Sequence, residues 1–434
     1  MESIWKSFVK IEPRPPFPGG QIKTDVLIIG GGLAGVLCAY KLKKRGVRNI
    51  LVEARTLGSG NTGNTTAKIT AQHGLIYREL CRKIGIEMAR AYYMAHTDAI
   101  GMYKKLAESY DFDFEKQMAY VYSTDDVDSL YAEASTYERI GIKPHFDRHP
   151  PLPMQTMGAL GMAGQAQMNP MKLLGALSKE LEIYEQTPVR DIQEHTALLD
   201  NGKITADYIV LCTHYPLKNI PGLYFMKMYQ HRSYVVAYKN AQDLDGGMYI
   251  DARENGLSLR NYKDLLLLGG GDHRTGKRGG GWEEVRRFAV SHYPDPQEVA
   301  AWSAQDCVSL DGIPYIGRHT KRDGRLLVAT GFNKWGMTGT MAAAQLLSEL
   351  IAVGTSPYQA LFSPQRSLWR PQLYLNALSS VGGLIKMGRR CPHLGCALTW
   401  NPQEASWDCP CHGSRFAEDG RLLDNPAKRD LHVE

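Results

Sequence analysis

The chain has 434 residues, 43% of them hydrophobic and 22% charged, and a formal net charge of +6. That length allows roughly three domains with large cores. The basic residues are not massed in runs, which argues against nucleic-acid binding, and no apolar stretch approaches the ~20 residues of a membrane span.

Residues 1–24 carry Pro13, Pro15, Pro16 and Pro18, end in Gly19-Gly20, and read as an extended leader. With no apolar signal region there, a cytoplasmic protein is expected. Asp25–Ile29 is an apolar run of strand length. It breaks at Gly30-Gly31-Gly32-Leu33-Ala34-Gly35, and a helix from Val36 to Arg45 follows, stopped by Gly46. A second strand, Asn49–Glu53, completes the start of a βαβ unit, and a polar loop runs from Gly58 to Lys68. Residues 85–150 are helix-rich, with strand-like Ala119–Tyr122. A helix at 170–182, a buried strand at Ala206–Cys212 and alternating strand patterns over 225–275 come next. Arg325–Thr330 is a further buried strand, followed by a Gly-rich turn and a helix from Met337 to about Val353. Residues 355–384, with Pro357, Pro364 and Pro371, read as a linker.

Gly30, Gly32 and Gly35 fit G-x-G-x-x-G: a tight turn, a close backbone approach to a pyrophosphate, and close helix–strand packing. The helix N-terminus presents free N–H groups to the phosphate. Glu53 ends the second strand, where a carboxylate accepts hydrogen bonds from ribose hydroxyls. Leu33, Ala34, Ala54 and Arg55 flank these positions. Gly60, Thr62, Thr65, Thr66 and Ala67 supply small groups suited to the pyrophosphate and the flavin ring. Position in the chain favours FAD over NAD.

The stretches Asp311-Gly312-Ile313-Pro314-Tyr315-Ile316-Gly317 and Ala329–Thr338 resemble the C-terminal flavin-binding signature of the D-amino-acid oxidase/glycine oxidase superfamily. The resemblance implies a Rossmann-like α/β FAD-binding fold with an interleaved, mixed-sheet α+β substrate domain. It places Gly312, Gly331, Phe332, Trp335, Gly336, Met337 and Thr338 at the flavin, with a helix N-terminus against its pyrimidine edge. It also passes the backbone of Val189 by the adenine. Some relatives tether the flavin through a His in the region of His73, which is expected here to be structural.

Four of the eight cysteines fall within twenty-one residues. Cys391-Pro392-His393-Leu394-Gly395-Cys396 and Cys409-Pro410-Cys411-His412-Gly413-Ser414 interleave Cys and His, an order that argues for iron–sulfur over zinc. The two segments resemble the cluster-binding boxes of Rieske [2Fe–2S] proteins. That resemblance implies Cys391 and Cys409 on one iron, His393 and His412 on the other, and a Cys396–Cys411 disulfide between the loops. It implies a hydrogen bond from Ser414 to a bridging sulfide. Phe416 stands where high-potential members carry a Tyr donor, so a lowered potential is expected. Few residues precede the first box, so a small all-β domain leaning on its neighbour is expected.

The whole chain resembles bacterial FAD-dependent oxidoreductases with a C-terminal Rieske domain. The expected division is an FAD domain at 25–85, 155–224 and 300–355, a substrate domain at 86–154 and 225–299, a linker at 356–384 and the Rieske domain at 385–434. The implied reaction oxidises the C–N bond of a small-molecule amine or amino acid and passes electrons to the cluster; the electron acceptor beyond it is unspecified. Arg260, His273 and Trp335 are the expected catalytic residues, with Tyr262 lining the pocket. A relay between protein partners is the alternative.

Overall fold

Val26–Ile29 and Leu326–Ala329 are apolar at every position, and the fold buries them at every position, as a parallel sheet covered on both faces demands. In the computed structural model, which describes residues 2–219, 221–367 and 371–432, they lie in an eight-stranded sheet. Its order is Tyr315–Arg318, Leu326–Thr330, Gly202–Leu211, Gly20–Ile29, Asn49–Val52, Ile183–Tyr184, with a side hairpin of Asp191–Gln193 and Thr196–Leu198. The helices Leu33–Lys44 and Gly336–Ala352 pack against each other beside it.

A nine-stranded sheet stands against this layer. Its order is Gln297–Ser309, Met228–Lys239, Leu265–Arg274, Ser258–Tyr262, Gly247–Asp251, Glu115–Ser123, Gly158–Gln167, Lys68–Ile69, with His145–Asp147 beside Gly158–Gln167. Only Gly247–Asp251 and Glu115–Ser123 pair in parallel. The residues Arg415–Ala417 belong to a third sheet, a four-stranded antiparallel meander with Thr399–Asn401, Ser406–Asp408 and Leu422–Asp424.

Three expectations change. The leader is not wholly extended: Ile4–Phe8 is a helix, with Ile4 and Trp5 buried and Trp5 Nε1 donating to Thr65 O at 2.6 Å. An apolar pair with a partner surface folds where the prolines beyond it cannot. The strands Gly158–Gln167 and Gln297–Ser309, assigned by sequence to the FAD domain, sit in the large antiparallel sheet, the second pairing with Met228–Lys239 along its length. Such pairing depends on distant segments and leaves no local pattern. Most of the expected linker is ordered: Gln359–Phe362 and Pro371–Ile385 are helical, and residues 368–370 lie outside the described residues. Asn376 of the second helix donates to Met226 O at 3.1 Å, which fixes it to the large sheet's domain.

The C-terminal meander has strands of three residues and a small core around Cys391, Cys396, Leu398, Cys409, Cys411 and Phe416. A core of that size does not stand alone. Charge and amides hold it to the large sheet. Glu404 accepts from Arg232 Nε at 3.0 Å, Tyr234 OH at 3.0 Å and Ser303 Oγ at 2.9 Å, all on the sheet, and from Arg415 Nη2 at 2.8 Å within the meander. Arg415 also binds Asp408 and Asp424, each at 3.0 Å. Gln230 Nε2 donates to His412 O and Asn425 O, and Gln305 Nε2 to Gly413 O, each at 2.9 Å. At Gly413, φ is +87° and any Cβ would stand 2.5 Å from the Gln230 side chain.

Burial alone would raise the Glu404 carboxyl, but the Arg232 and Arg415 guanidiniums outweigh it and hold it at about 2, against an ordinary 4.5. Its contribution to stability is present above about pH 4.5 and is lost as pH falls toward 2. Removing one partner of a buried pair costs about 3–5 kcal/mol. Glu404→Ala is therefore expected to detach the meander at neutral pH, seen as new proteolysis near residue 385 and a separate low-temperature transition in calorimetry. The unmodified protein is expected to show that transition only in acid.

Candidate functional site

The turn after the first strand is built for close backbone approach. Gly30 has φ +114°, and a Cβ there would lie 2.4 Å from Cys212 O; a Cβ on Gly35 would lie 2.0 Å from Gly30 O. Gly32 precedes the helix Leu33–Lys44 and has no side-chain cap to offer, so the first N–H groups are held by other means. Leu33 N donates to Thr62 Oγ1 at 2.9 Å, and Gly31 N to Glu53 Oε2 at 2.6 Å. The helix Gly336–Ala352 also begins without a side-chain cap, at Trp335. Both N-termini open on one cavity of about 800 Å³.

The cavity brings most of the expected cofactor residues together. Gly30, Gly32, Leu33, Ala34, Glu53, Ala54 and Arg55 line it with Val189. Gly60, Thr62, Thr65 and Thr66 line it as well, as do Gly312, Phe332, Trp335, Gly336 and Met337. Gly35, Ala67, Gly331 and Thr338 stand behind this lining: Thr338 Oγ1 donates to Thr70 O at 2.8 Å, and Ala67 and Gly331 have positive φ. A glycine cradle that no Cβ could enter and two helix N-termini whose cap residues bring no side-chain acceptor fit a dinucleotide with a flavin. Gly30–Ala34, Glu53 and the 60–66 loop would hold its dinucleotide part, and the turn 332–337 its ring.

Two of the expected catalytic residues are not on the cavity wall. Arg260 is fully buried, with Nη1 donating to Gln167 Oε1 at 2.5 Å and its guanidinium 5.4 Å from the Trp5 ring centroid. Burial pushes it down to about 9. His273 is held between Tyr234 OH at 2.9 Å and Arg274 O at 3.0 Å. Tyr262 bonds Asn169 at 3.1 Å and also Asp113, away from the cavity. Arg260 and Tyr262 share the strand face of the cavity-lining Ser258 but lie further along the strand, and His273 turns to the face opposite its cavity-lining neighbour Asp272. Trp335 does line the cavity, stacked at 4.8 Å on His73. His73 has both ring nitrogens occupied, at 2.7 Å by Tyr92 OH and at 2.7 Å by Thr70 O, and burial lowers it to about 3. That is the environment of a structural histidine.

Four further charged or titratable side chains face the cavity beside the expected cofactor residues: Lys68, His231, Asp272 and Asp306. Lys68 has hydroxyl partners, Ser258 and Thr66, and no ion pair among the described residues. Burial, with Arg260 adding to it, lowers its ammonium to about 7. Asp306 accepts from Asn61 Nδ2 at 3.3 Å, and desolvation raises it to about 7. Asp272 is already paired with Lys334. His231, paired across the sheet with Asp306, has an Nδ1 without a partner among the described residues. Register between distant strands assembles this group. The only local hint was alternation along 225–275.

The second site lies under the meander. Cys391 and Cys409 are buried at 2% and 1% exposure, and the His393 and His412 rings lie 5.0 Å apart at 86°. Nδ1 of both histidines is buried without a partner among the described residues. Two buried thiols and two imidazoles with an unpaired Nδ1 among the described residues fit a mixed Cys/His cluster. Cys391, Cys409, His393 and His412 would hold it. Ser414 Oγ accepts from Ala427 N at 3.0 Å, and Phe416 is fully buried. The Sγ atoms of Cys396, Cys409 and Cys411 lie within 4.8 Å of one another. The two sites meet, since Leu422, Leu423, Asp424, Asn425, Ala427 and Lys428 of the meander line the first cavity.

Comparison with known proteins agrees with both sites. Residues 25–350 match the family model of FAD dependent oxidoreductases (DAO), and residues 365–433 that of the Rieske [2Fe-2S] domain. The chain is 35% identical to a Bacillus subtilis (strain 168) protein named as a Rieske 2Fe-2S iron-sulfur protein, YhfW, covering 99% of this chain and 97% of that one. A 43-residue segment is 49% identical to the cytochrome b6-f complex iron-sulfur subunit 3 of Nostoc sp. (strain PCC 7120 / SAG 25.82 / UTEX 2576), 10% of this chain and 24% of that protein. The fold is similar to the crystal structure of glycine oxidase from Geobacillus kaustophilus, with TM-score 0.68 at 21% identity over 80% of this chain and all of that one. Among the described residues no helix is long and apolar enough to cross a membrane. The chain belongs to the DAO family of FAD-dependent oxidoreductases and carries FAD together with a Rieske [2Fe–2S] cluster in a C-terminal domain.

Proposed function

We propose that the chain oxidises the C–N bond of a small amine or amino acid at FAD and passes the electrons to its own Rieske cluster, for delivery to an external acceptor. One observation carries this reading. A single cavity joins the dinucleotide cradle, a pocket holding a cation and an anion, and the edge of the Rieske domain. FAD supplies a two-electron acceptor there and the cluster a one-electron acceptor. The fold shared with glycine oxidase supports the substrate class.

The remaining work falls to the chain's own residues. Lys68 is bonded only to hydroxyls among the described residues, so its ammonium is available to a substrate carboxylate. Asp306 lines the same cavity and burial pushes its carboxyl up to about 7, where it can pair with an ammonium or take its proton. Trp335, held by its stack on His73, and the uncapped turn at Gly336 confine the substrate from one side. Arg260, bonded to Gln167, and His273, bonded to Tyr234, stand off the cavity in this scheme.

Anaerobic mixing with a panel of primary and secondary amines and amino acids tests the reading. At least one compound is expected to bleach the bound flavin within a turnover time. A protein that bleaches only with NAD(P)H or a reductase is a relay instead. For a carboxylated substrate, Lys68→Met is expected to raise KM about tenfold, the equivalent of ~1.4 kcal/mol of binding. Asp306 acts as the carboxylate, so kcat/KM is expected to fall as pH drops below about 7. Asp306→Asn should be slower, and its profile should lack that acid limb.

A further inference from the structure

The outer edge of one cluster ligand is closed by the flavin half of the same chain. The Asn219 side-chain amide meets His393 Nε2 at 2.8 Å. Asn219 lies in the loop after the strand Gly202–Leu211, eight residues beyond that strand, and the first part of the loop, Cys212, Thr213 and His214, lines the FAD cavity. Asn219 is 8% exposed, and its Oδ1 is buried without a partner among the described residues. Tyr215 of the same loop sets its ring edge-on to His393, with centroids 6.3 Å apart.

The protonation of the imidazole fixes which way the amide must face. His393 Nδ1 is buried without a partner among the described residues, so it is the nitrogen left for iron. A neutral imidazole that gives Nδ1 to a metal carries its proton on Nε2 and donates from there. An amide NH2 at 2.8 Å from that N–H sets donor against donor and leaves Oδ1 with nothing. Turning the amide over, which exchanges two ends of nearly the same shape, puts Oδ1 at the same place and satisfies both groups at once.

We propose that Asn219 is the hydrogen-bond acceptor for the Nε2–H of cluster ligand His393, a positioning residue that docks the cluster on the flavin half and lowers its reduction potential. An acceptor at Nε2 makes the imidazole a stronger electron donor, which favours the oxidised cluster. The same contact fills the position through which a diffusible molecule could otherwise bond to this ligand. The proposal does not depend on the substrate. It rests on His393 being a ligand.

The test is a dye-mediated redox titration of the full-length holoprotein, followed by EPR, with no substrate present. Asn219→Leu removes the acceptor and is expected to raise the midpoint; Asn219→Asp strengthens it and is expected to lower the midpoint. Asn219→Ser, too short to reach Nε2, is expected to rise like the Leu variant, and serves if either of the others fails to hold its cluster. The remote-nitrogen coupling of one histidine in pulsed EPR should change in all three. A Leu or Ser variant at or below the parent potential, or Leu and Asp shifts of the same sign, would overturn the assignment. If His393 is not a ligand, the unmodified protein will lack the two-histidine nitrogen signature, a failure visible before any variant is made.

Discussion

The buried ion cluster of Arg232, Glu404 and Arg415 is the constraint on which the arrangement of the two redox sites depends. Its three side chains are 3%, 7% and 6% exposed. Three charges this deep are costly to desolvate and are tolerated only when each is hydrogen-bonded by its partners. Here they are: the guanidiniums meet the carboxylate from two domains, and Ser303 and Tyr234 use its remaining lone pairs. The cluster adds little as raw stability compared with an apolar contact. What it adds is position, because no neighbouring register of the meander on the sheet would satisfy all three groups.

From that position the rest follows. With Glu404 seated, residues 422–428 of the meander reach the wall of the FAD cavity, and Asn425 Nδ2 donates to Thr213 O at 2.7 Å. Arg55, beside the expected ribose position, donates through Nη1 to Leu423 O at 3.2 Å. The Gly276 backbone comes so near Pro410 that a Cβ would stand 2.6 Å from its nitrogen. Each of these contacts ties a part of the dinucleotide-binding or sheet scaffold to the loops that hold the cluster. The meander, too small to be stable alone, takes its order from the larger body, and in return completes that body's cavity.

The parts legible in the sequence were those whose chemistry is local. The turn Gly30–Gly35 with Glu53, the cavity-lining positions Gly312 and Trp335–Met337, and the Cys/His boxes at 391–396 and 409–414 each sit in one short stretch. Their spacing already states what they hold. The parts that were not legible depend on strand register. Arg260 and His273 look like pocket residues because they lie next to strands, yet Arg260 sits two residues along its strand from the cavity-lining Ser258, buried against Gln167 and Trp5, and His273 turns away from its cavity-lining neighbour Asp272 toward Tyr234. Lys68, Asp306 and His231 come from three distant segments and line one cavity only once the nine-stranded sheet forms. Asn219 and Glu404 carry no motif at all, since their roles exist only at the junction between domains. The proline-rich look of 356–384 concealed a helix because proline at its first turn starts a helix as readily as it ends one.

The central claim is that substrate oxidation and cluster reduction are coupled inside one chain. Single-turnover mixing of the oxidised holoprotein with a substrate under anaerobic conditions, with rapid freezing and EPR, tests it directly. The reduced-cluster signal is expected to rise after flavin bleaching with a first-order rate unchanged on tenfold dilution of the protein. A rate that scales with protein concentration, or a bleached flavin beside a cluster that stays oxidised, would contradict it.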